Sequence, residues 1–163
     1  MASPRNAAAK ILSRAALLRR ARRLGTHRLV FTNGCFDLLH AGHVTLLERA
    51  KRCGDVLVVG LNSDRSVRAL KGPGRPVVGQ RDRAAVLAAL ESVDYVTIFN
   101  ERTPQRLVEA LRPHVLIKGA DWTASEIVGR DVVHRRGGRI IRFPLLKGHS
   151  TSKLIQRIRH AGR

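Results

Sequence analysis

Acidic residues and aromatic side chains are both scarce in this chain of 163 residues. Aspartate and glutamate number 12 against 31 lysines and arginines, and the formal net charge of +19 favours polyanionic partners or substrates. The charge does not by itself distinguish a nucleotide from a nucleic acid. Aromatic residues make up only 4% of the chain, so a nucleic acid would find few rings on which its bases could stack. A basic nucleic-acid-binding module is therefore kept only as the non-enzyme alternative.

Cysteines and long apolar runs are also few. The two cysteines, Cys35 and Cys53, show neither C-x-x-C spacing nor a histidine at metal-ligand spacing, which argues against a disulfide framework and a zinc site. We therefore expect a reducing, cytoplasmic setting. A membrane-spanning helix needs about 18 consecutive apolar residues, and no such run occurs, so no membrane segment is predicted. The length suits one domain with a self-sufficient core.

The N-terminal segment, residues 1–27, is basic and has no acidic residue, since the first in the chain is Asp37. Its arginine- and alanine-rich composition is typical of a mitochondrial transit peptide. However, Ile11, Ala15 and Leu18 recur at helical spacing, and Gly25 follows as a stop signal. We therefore favour a basic amphipathic helix packed on a domain that covers residues 28–163.

Strand and helix patterns alternate along that domain. Short apolar runs predict five strands, at residues 29–31, 56–61, 95–99, 115–118 and 139–143. Helical patterns are predicted at residues 44–53, at 81–90, at 104–111 with Thr103 as cap, and at 153–159 with Leu154, Ile155 and Ile158 facing inward. Residues 71–79 contain three glycines and two prolines and are predicted to form a loop that carries Lys71 and Arg75. The alternation predicts an α/β fold with one doubly wound, Rossmann-like sheet of about five parallel strands.

Residues 32–43, TNGCFDLLHAGH, lie between the first strand and its helix. The first turn of a helix has unpaired N–H groups and a partial positive charge, which suit phosphate binding. Gly34 and Gly42 remove side chains that would keep a phosphate from the backbone. His40 and His43 are three residues apart, so both can donate hydrogen bonds from one face of the helix start. The alternative is that they are ordinary polar capping residues.

Four motifs in order carry a resemblance to a known family. They are TNGCFDLLHAGH, the Lys71 loop, KGADW at 118–122 and GHSTSKLI at 148–155, and over residues 28–158 they resemble the cytidylyltransferase-like nucleotidyltransferases. Within that superfamily the chain is most similar to the bacterial D-glycero-β-D-manno-heptose 1-phosphate adenylyltransferases. The related glycerol-3-phosphate cytidylyltransferases have an arginine after the proline where this chain has Leu145 after Pro144. Two positions depart from the common pattern: His149, where a smaller or apolar residue is usual, and Ser152, where threonine is commoner.

The resemblance implies transfer of the adenylyl group of ATP to the heptose 1-phosphate, which gives ADP-heptose and pyrophosphate. Cytidylyl transfer to glycerol 3-phosphate or a similar small phosphate is the alternative. The family also implies Mg²⁺ carried with ATP and no dedicated protein metal site, a homodimer, and a separate heptose kinase in the same pathway.

The resemblance also assigns roles to individual residues. The catalytic set comprises His40, His43 and Lys71. The expected nucleotide-binding set is Thr32, Asn33, Gly34, Cys35, Phe36, Gly42, Arg83, Gly148, Ser150, Thr151 and Ser152. The expected substrate-binding set is Asp37, Lys118, Asp121 and Trp122. Plainer alternatives stay open for six of these residues: a solvated Lys71, an Asp37 that caps its own turn, a helix-surface Arg83, a Trp122 that fills the core, and Ser150 and Thr151 that only cap a helix. Cys35 has no adjacent base and is interpreted as a packing residue rather than a nucleophile.

Overall fold

Five parallel strands form one sheet at the centre of the fold. The computed structural model describes residues 6–120, 123–144, 146 and 148–161. The strands are β1 (Leu29–Gly34), β2 (Val56–Asn62), β3 (Tyr95–Phe99), β4 (Val115–Gly119) and β5 (Arg139–Phe143). They are arranged in the order β3-β2-β1-β4-β5, and every pairing is parallel. The predicted fold class is confirmed.

Helices cover both faces of this sheet. In the described part of the chain they are α1 (Arg14–Arg22), α2 (Ala41–Lys51), α3 (Asp64–Lys71), α4 (Gln80–Ala89), α5 (Gln105–Leu111), α6 (Arg130–His134) and α7 (Thr151–Ala161), with short 3-10 helices at Ala7–Lys10 and Ala124–Glu126. Helices α1, α5 and α6 contribute to the core on one face, and α2 and α4 to the core on the other. All seven residues of β2 are buried, as expected of a strand covered on both sides. No helix in the described ranges is long and apolar enough to cross a bilayer.

The strand order reverses at β1, and this reversal determines where the ligand-binding crevice of the fold lies. From β1 the chain runs outward through β2 to β3, and then returns to build β4 and β5 on the other side. In open parallel sheets, ligands bind beyond the carboxyl ends of the strands at such a reversal. Here those ends are Gly34 of β1 and Gly119 of β4. The motif 32–43 leaves the sheet at this point.

The described part of the N-terminal segment, residues 6–27, packs on the sheet, and two of the three residues that its periodicity suggested, Ile11 and Leu18, contact the core. Ser13 caps α1 by accepting a hydrogen bond from the Ala16 N–H, so Ile11 lies before the helix. Ile11 forms an isolated bridge to Val96, alongside β3. Ala15 is exposed, and Leu17 is the fully buried residue of α1. The offset arises because the cap begins the helix three residues later than the apolar repeat begins.

Two other elements differ from the predictions. Lys71 is the last residue of α3, a helix that the sequence patterns did not predict, and the loop begins after it at Gly72, whose φ is +87°. The fifth helix begins at Gln105 with Pro104 as its N-cap, rather than with a Thr103 cap. In α7, Leu154 and Ile155 are half-buried, but Ile158 is 65% exposed, so the predicted inward-facing trio is wrong at its third member. None of the residues of α7 is buried, because this helix follows the edge strand and is not enclosed by other described elements.

Candidate active site

Two histidines stack on each other at the first turn of α2. His40 is the N-cap residue and His43 lies in the first turn; their ring centroids are 3.8 Å apart, and the rings are inclined by 21°. The Phe36 ring packs 5.0 Å from that of His43. The Nδ1 atoms of both histidines are buried and make no hydrogen bond within the described ranges. Because buried polar atoms in native proteins are almost always paired, the two unpaired nitrogens distinguish this pair of rings as a candidate functional site.

The surroundings of the two rings keep them uncharged. Burial lowers the pKa of His43 to about 4, with a further contribution from His40. Burial also lowers the pKa of His40, and His149, whose ring centroid is 6.4 Å away, acts in the same direction. At neutral pH both imidazoles are therefore neutral, and each offers one N–H donor without a full charge.

The lowered pKa of His43 predicts a loss of stability in mild acid. Between pH 6.5 and about 4 the unfolded chain protonates this residue while the folded chain does not. The free energy of unfolding should therefore fall as pH decreases through this window, by up to about 1.4 kcal/mol per pH unit. Urea denaturation between pH 7.5 and 4.5 measures the slope, and His43→Gln should flatten it. Parallel curves for the two proteins would contradict the expectation.

Glycines occupy two crowded positions of this motif, at the end of β1 and in the first turn of α2. A Cβ on Gly34 would lie 3.0 Å from the Phe36 ring, and one on Gly42 would lie 3.1 Å from the His40 ring. Phe36 itself has φ of +43°, a left-handed conformation that non-glycine residues seldom adopt. Its ring is buried against His43, and this packing holds the unfavourable backbone in place. The glycines therefore let the backbone approach the two imidazoles.

The carboxylate of Asp37 is buried and pairs with other groups of the protein. Its buried carboxylate forms an ion pair with Arg75 and accepts hydrogen bonds from the N–H groups of Val77 (2.8 Å) and Val78 (3.0 Å). These contacts tie the glycine- and proline-rich loop after α3 to the histidine loop. Asp37 therefore holds a distant loop rather than capping its own turn, and its contact with a substrate stays a prediction.

Arg83 is also placed differently from the expectation of a nucleotide contact. It is 2% exposed, and its guanidinium donates to the carbonyls of Cys35, Asn62 and Val78 and pairs with Asp64 at 2.7 Å. One side chain thus joins the histidine loop, the end of β2 and the loop after α3. The sequence offered one signal for this partnership: Asp64 lies two positions after the end of the buried strand β2, at the carboxyl edge of the sheet.

The ends of β1 and β4 bring together a second polar group. The Thr32 hydroxyl donates to the Ile117 carbonyl across the two strands at 3.1 Å. Lys118 Nζ donates to Asn33 Oδ1 at 2.6 Å, and Lys118 is only 9% exposed. A lysine charge held at the carboxyl edge beside Asn33 suits a phosphate-bearing ligand.

Lys71 is exposed at the mouth of the site. Burial raises the pKa of the Cys35 thiol, and the charge of Lys71 is the foremost influence that opposes the increase. Lys71 therefore acts electrostatically on the histidine loop although it is solvated. A raised pKa leaves Cys35 as a protonated thiol, which agrees with its interpretation as a packing residue.

The motif at 148–152 meets the histidine loop from the far end of the chain. Gly148 has φ of +83°, and Ser150 accepts a hydrogen bond from the Lys153 N–H at 3.2 Å, which caps α7. Thr151 donates to the Leu38 carbonyl at 3.4 Å, and Ser152 is exposed. Two helix N-termini, those of α2 and α7, therefore converge, and both favour an anion.

The remaining predictions concern two substrate residues and the metal. Asp121 and Trp122 lie outside the described residues. Within the described residues, no three His, Cys, Asp or Glu side chains are grouped as a metal site. The one carboxylate in the histidine loop, that of Asp37, is already paired with Arg75.

Comparison with known proteins places this chain among nucleotide-handling enzymes. A family model described as cytidylyltransferase-like matches residues 31–157. The bifunctional protein HldE of Geotalea uraniireducens (strain Rf4) is 53% identical over 150 residues, 92% of this chain and 31% of that protein. HldE of Methylobacillus flagellatus is 57% identical over 131 residues, 80% of this chain and 27% of that protein. The chain therefore spans less than a third of the length of these two relatives.

Solved structures agree on the fold. The lipopolysaccharide core biosynthesis protein from Thermoplasma volcanium superposes with a TM-score of 0.63 at 26% identity, over 74% of this chain and 99% of that one. Pantoate-β-alanine ligase from Francisella tularensis, whose crystal structure contains an ATP analogue, superposes with a TM-score of 0.58 over 87% of this chain and 68% of its own. At 14% identity, the second similarity concerns the fold alone.

Proposed function

Since the chain belongs to the cytidylyltransferase-like family of nucleotidyltransferases, we propose that it transfers the adenylyl group of ATP to D-glycero-β-D-manno-heptose 1-phosphate. The observation that carries the proposal is the stacked pair His40 and His43, whose buried Nδ1 atoms lie at the start of α2. Two neutral imidazoles at a helix N-terminus are suited to hold phosphate oxygens whose charge increases during reaction.

The proposed reaction is a single in-line displacement. An oxygen of the sugar phosphate forms a bond to the α-phosphorus of ATP, the bond from that phosphorus to the bridging oxygen breaks, and pyrophosphate leaves with the electron pair. No covalent enzyme intermediate is required, so positioning and preorganised donors supply the acceleration. His40 and His43 donate to the reacting phosphates, and Ser150 and Thr151 at the start of α7 offer hydroxyl and backbone donors to the outer ones. Lys71 and Lys118 offset the remaining negative charge from the mouth and the floor of the site.

Mg²⁺ fits this arrangement as a companion of ATP. The described residues offer no carboxylate cluster, and Mg²⁺ in nucleotide sites is commonly held by phosphate oxygens and water. The ion, when bound with ATP, would reduce the charge of the triphosphate. The protein's own part is to present lysine and imidazole donors around it.

The choice of sugar is supported by the motifs and by two printed names. HldE proteins are the relatives with more than half of their residues identical over the matched region, and a structure 26% identical is a lipopolysaccharide core biosynthesis protein. From the family resemblance we also propose that a heptose kinase of the same pathway supplies the sugar 1-phosphate. We also propose that the enzyme is a homodimer, that residues 1–27 are a structural part of the domain formed by residues 28–163, and that it works in the cytoplasm, where ATP is available.

A substrate panel tests the assignment. Pyrophosphate release is measured with ATP and Mg²⁺ plus the heptose 1-phosphate, and in parallel with CTP and glycerol 3-phosphate and with ATP and phosphopantetheine. We expect turnover in the first mixture only. Turnover in another mixture, with none in the first, would replace the proposed substrate while leaving the nucleotidyltransferase family unchanged.

A further inference from the structure

The larger of two cavities described on this protein lies away from the histidines. It has a volume of about 360 Å³ and is formed between the N-terminal segment and the start of β3. Its lining includes Leu12, Ala16, Arg19, Arg20, Arg23 and Tyr95. Leu17 and Tyr95 belong to the core on one face of the sheet, whereas α2 packs into the core on the other face. The sheet therefore separates this cavity, the arginine cavity, from the candidate active site.

One guanidinium in the arginine cavity is held in a fixed position. Arg20 is half-buried, and its Nε donates to the Tyr95 hydroxyl at 2.7 Å. The carbon at the centre of this guanidinium also lies 5.8 Å from the centroid of the Tyr95 ring. Tyr95 is buried, so its position is set by the core. This contact uses one of the five N–H donors of Arg20, and the terminal nitrogens form no hydrogen bond with the described residues.

The positive charge in the arginine cavity is not balanced from within. Arg19, Arg20 and Arg23 lie on one face of α1 and its C-terminal cap, and the described lining contains no carboxylate. None of the three makes an ion pair with a described residue. The preceding residues 1–9 cannot neutralise them, because the chain has no acidic residue before Asp37.

Another arginine of the same helix, Arg14, has its charge balanced by a carboxylate. Arg14, at the beginning of α1, forms an ion pair with Glu101 at 2.6 Å. The carbonyls at the C-terminal end of a helix favour nearby cations and so allow three arginines to gather there. These carbonyls do not accept hydrogen bonds from the guanidinium N–H groups that line the cavity. A bound anion would accept them.

We propose that the arginine cavity is a second anion-binding site, specific for the diphosphate group of a small molecule and separate from catalysis. Guanidinium groups bind phosphate oxygens in a bidentate manner, and three of them match a group that carries several negative charges. The volume accommodates a diphosphate, and Leu12 and Ala16 leave an apolar wall for the remainder of a nucleotide. Inorganic pyrophosphate and ADP are the two sources of this chemistry.

Tyr95 provides a local reporter, because it is the only tyrosine in the chain. The full-length protein is prepared with ¹³C-labelled tyrosine rings, and the single set of ring signals is followed by NMR during titration with pyrophosphate and, separately, with ADP. We expect the Tyr95 signals to shift and saturate with at least one of the two ligands. The ligand that binds more tightly identifies the source of the diphosphate. Signals that do not move with either ligand would overturn the proposal.

Charge-reversal variants distinguish specific binding of an anion in the arginine cavity from non-specific electrostatic attraction to a basic protein. Arg19→Glu/Arg23→Glu keeps the Arg20 contact with Tyr95 and should raise the apparent Kd reported by Tyr95 at least about tenfold. The matched control, Arg52→Glu/Arg136→Glu, makes the same change in net charge at two exposed positions outside the cavity and should leave the Kd within about twofold. Equal weakening in both variants would show non-specific attraction and overturn the proposal. His43→Ala should leave the Tyr95 titration unchanged, whereas loss of the shift in that variant would place the ligand at the histidines instead.

Discussion

Replacing His43 by alanine should lower kcat by about 10² or more while the protein remains folded. Removal of one preorganised donor to a developing phosphate charge has an effect of this size. The side chain contributes little to the fold through polar contacts, because its buried Nδ1 has no hydrogen-bond partner among the described residues. His40→Ala should behave in the same way, since its ring is stacked on that of His43 at 3.8 Å. Steady-state kinetics together with thermal melting measure the two effects separately.

The alternative role makes the opposite forecast for the same variants. If the histidines have only a structural role at the start of α2, where the His40 side chain makes no capping hydrogen bond, each substitution should lower stability and leave kcat unchanged. His134→Ala, at the exposed end of α6, is the matched control and should alter neither quantity. A folded His43→Ala enzyme with wild-type turnover would remove the histidine pair from the mechanism.

Replacing Arg83 by methionine should reduce the free energy of unfolding by about 3 to 5 kcal/mol. Methionine keeps much of the volume but removes the donors to three carbonyls and leaves Asp64 without its partner. Three carbonyls lose their donor and the partly exposed Asp64 loses its partner, and together these losses have a cost of this magnitude. Urea denaturation monitored by circular dichroism measures it. Arg81→Met, two residues earlier on the exposed side of α4, should change stability by less than about 0.5 kcal/mol.

Kinetics on the same pair of variants distinguish structural support from nucleotide contact. Loss of Arg83 loosens the Cys35 carbonyl and the loop at Val78, so kcat and KM should change together with the loss of stability. A variant of Arg83 with wild-type stability and a selectively raised KM for ATP would restore the original expectation that this arginine binds the nucleotide.

Local patterns were sufficient to predict most of the fold. The strands at residues 95–99 and 139–143 agree with β3 and β5 in both bounds, and the predicted parallel sheet is present. Such predictions succeed because strands concentrate apolar and β-branched residues in short runs, which are visible in consecutive residues even in the edge strand β5, where Arg139 and Arg142 are exposed. They failed for α3, whose sequence DRSVRALK has one buried apolar residue, Val67. The helix has only eight residues, so its apolar positions repeat over little more than two turns and are easily missed in the sequence.

The sequence by itself determined that a histidine pair follows a buried strand at the start of a helix, because strand, glycine turn and helix are all local to residues 29–51. Only the tertiary structure decided the partners of the charged residues around that pair. Asp37 meets Arg75, Arg83 reaches Cys35 from 48 positions away, and Arg20 meets Tyr95 from 75 positions away. A parallel sheet brings the carboxyl ends of distant strands to one edge, and whether a charge there faces a ligand or a protein group depends on which loops meet. The partner of each charged side chain is determined by packing between segments far apart in the chain. It therefore cannot be predicted from the spacing of residues within one segment.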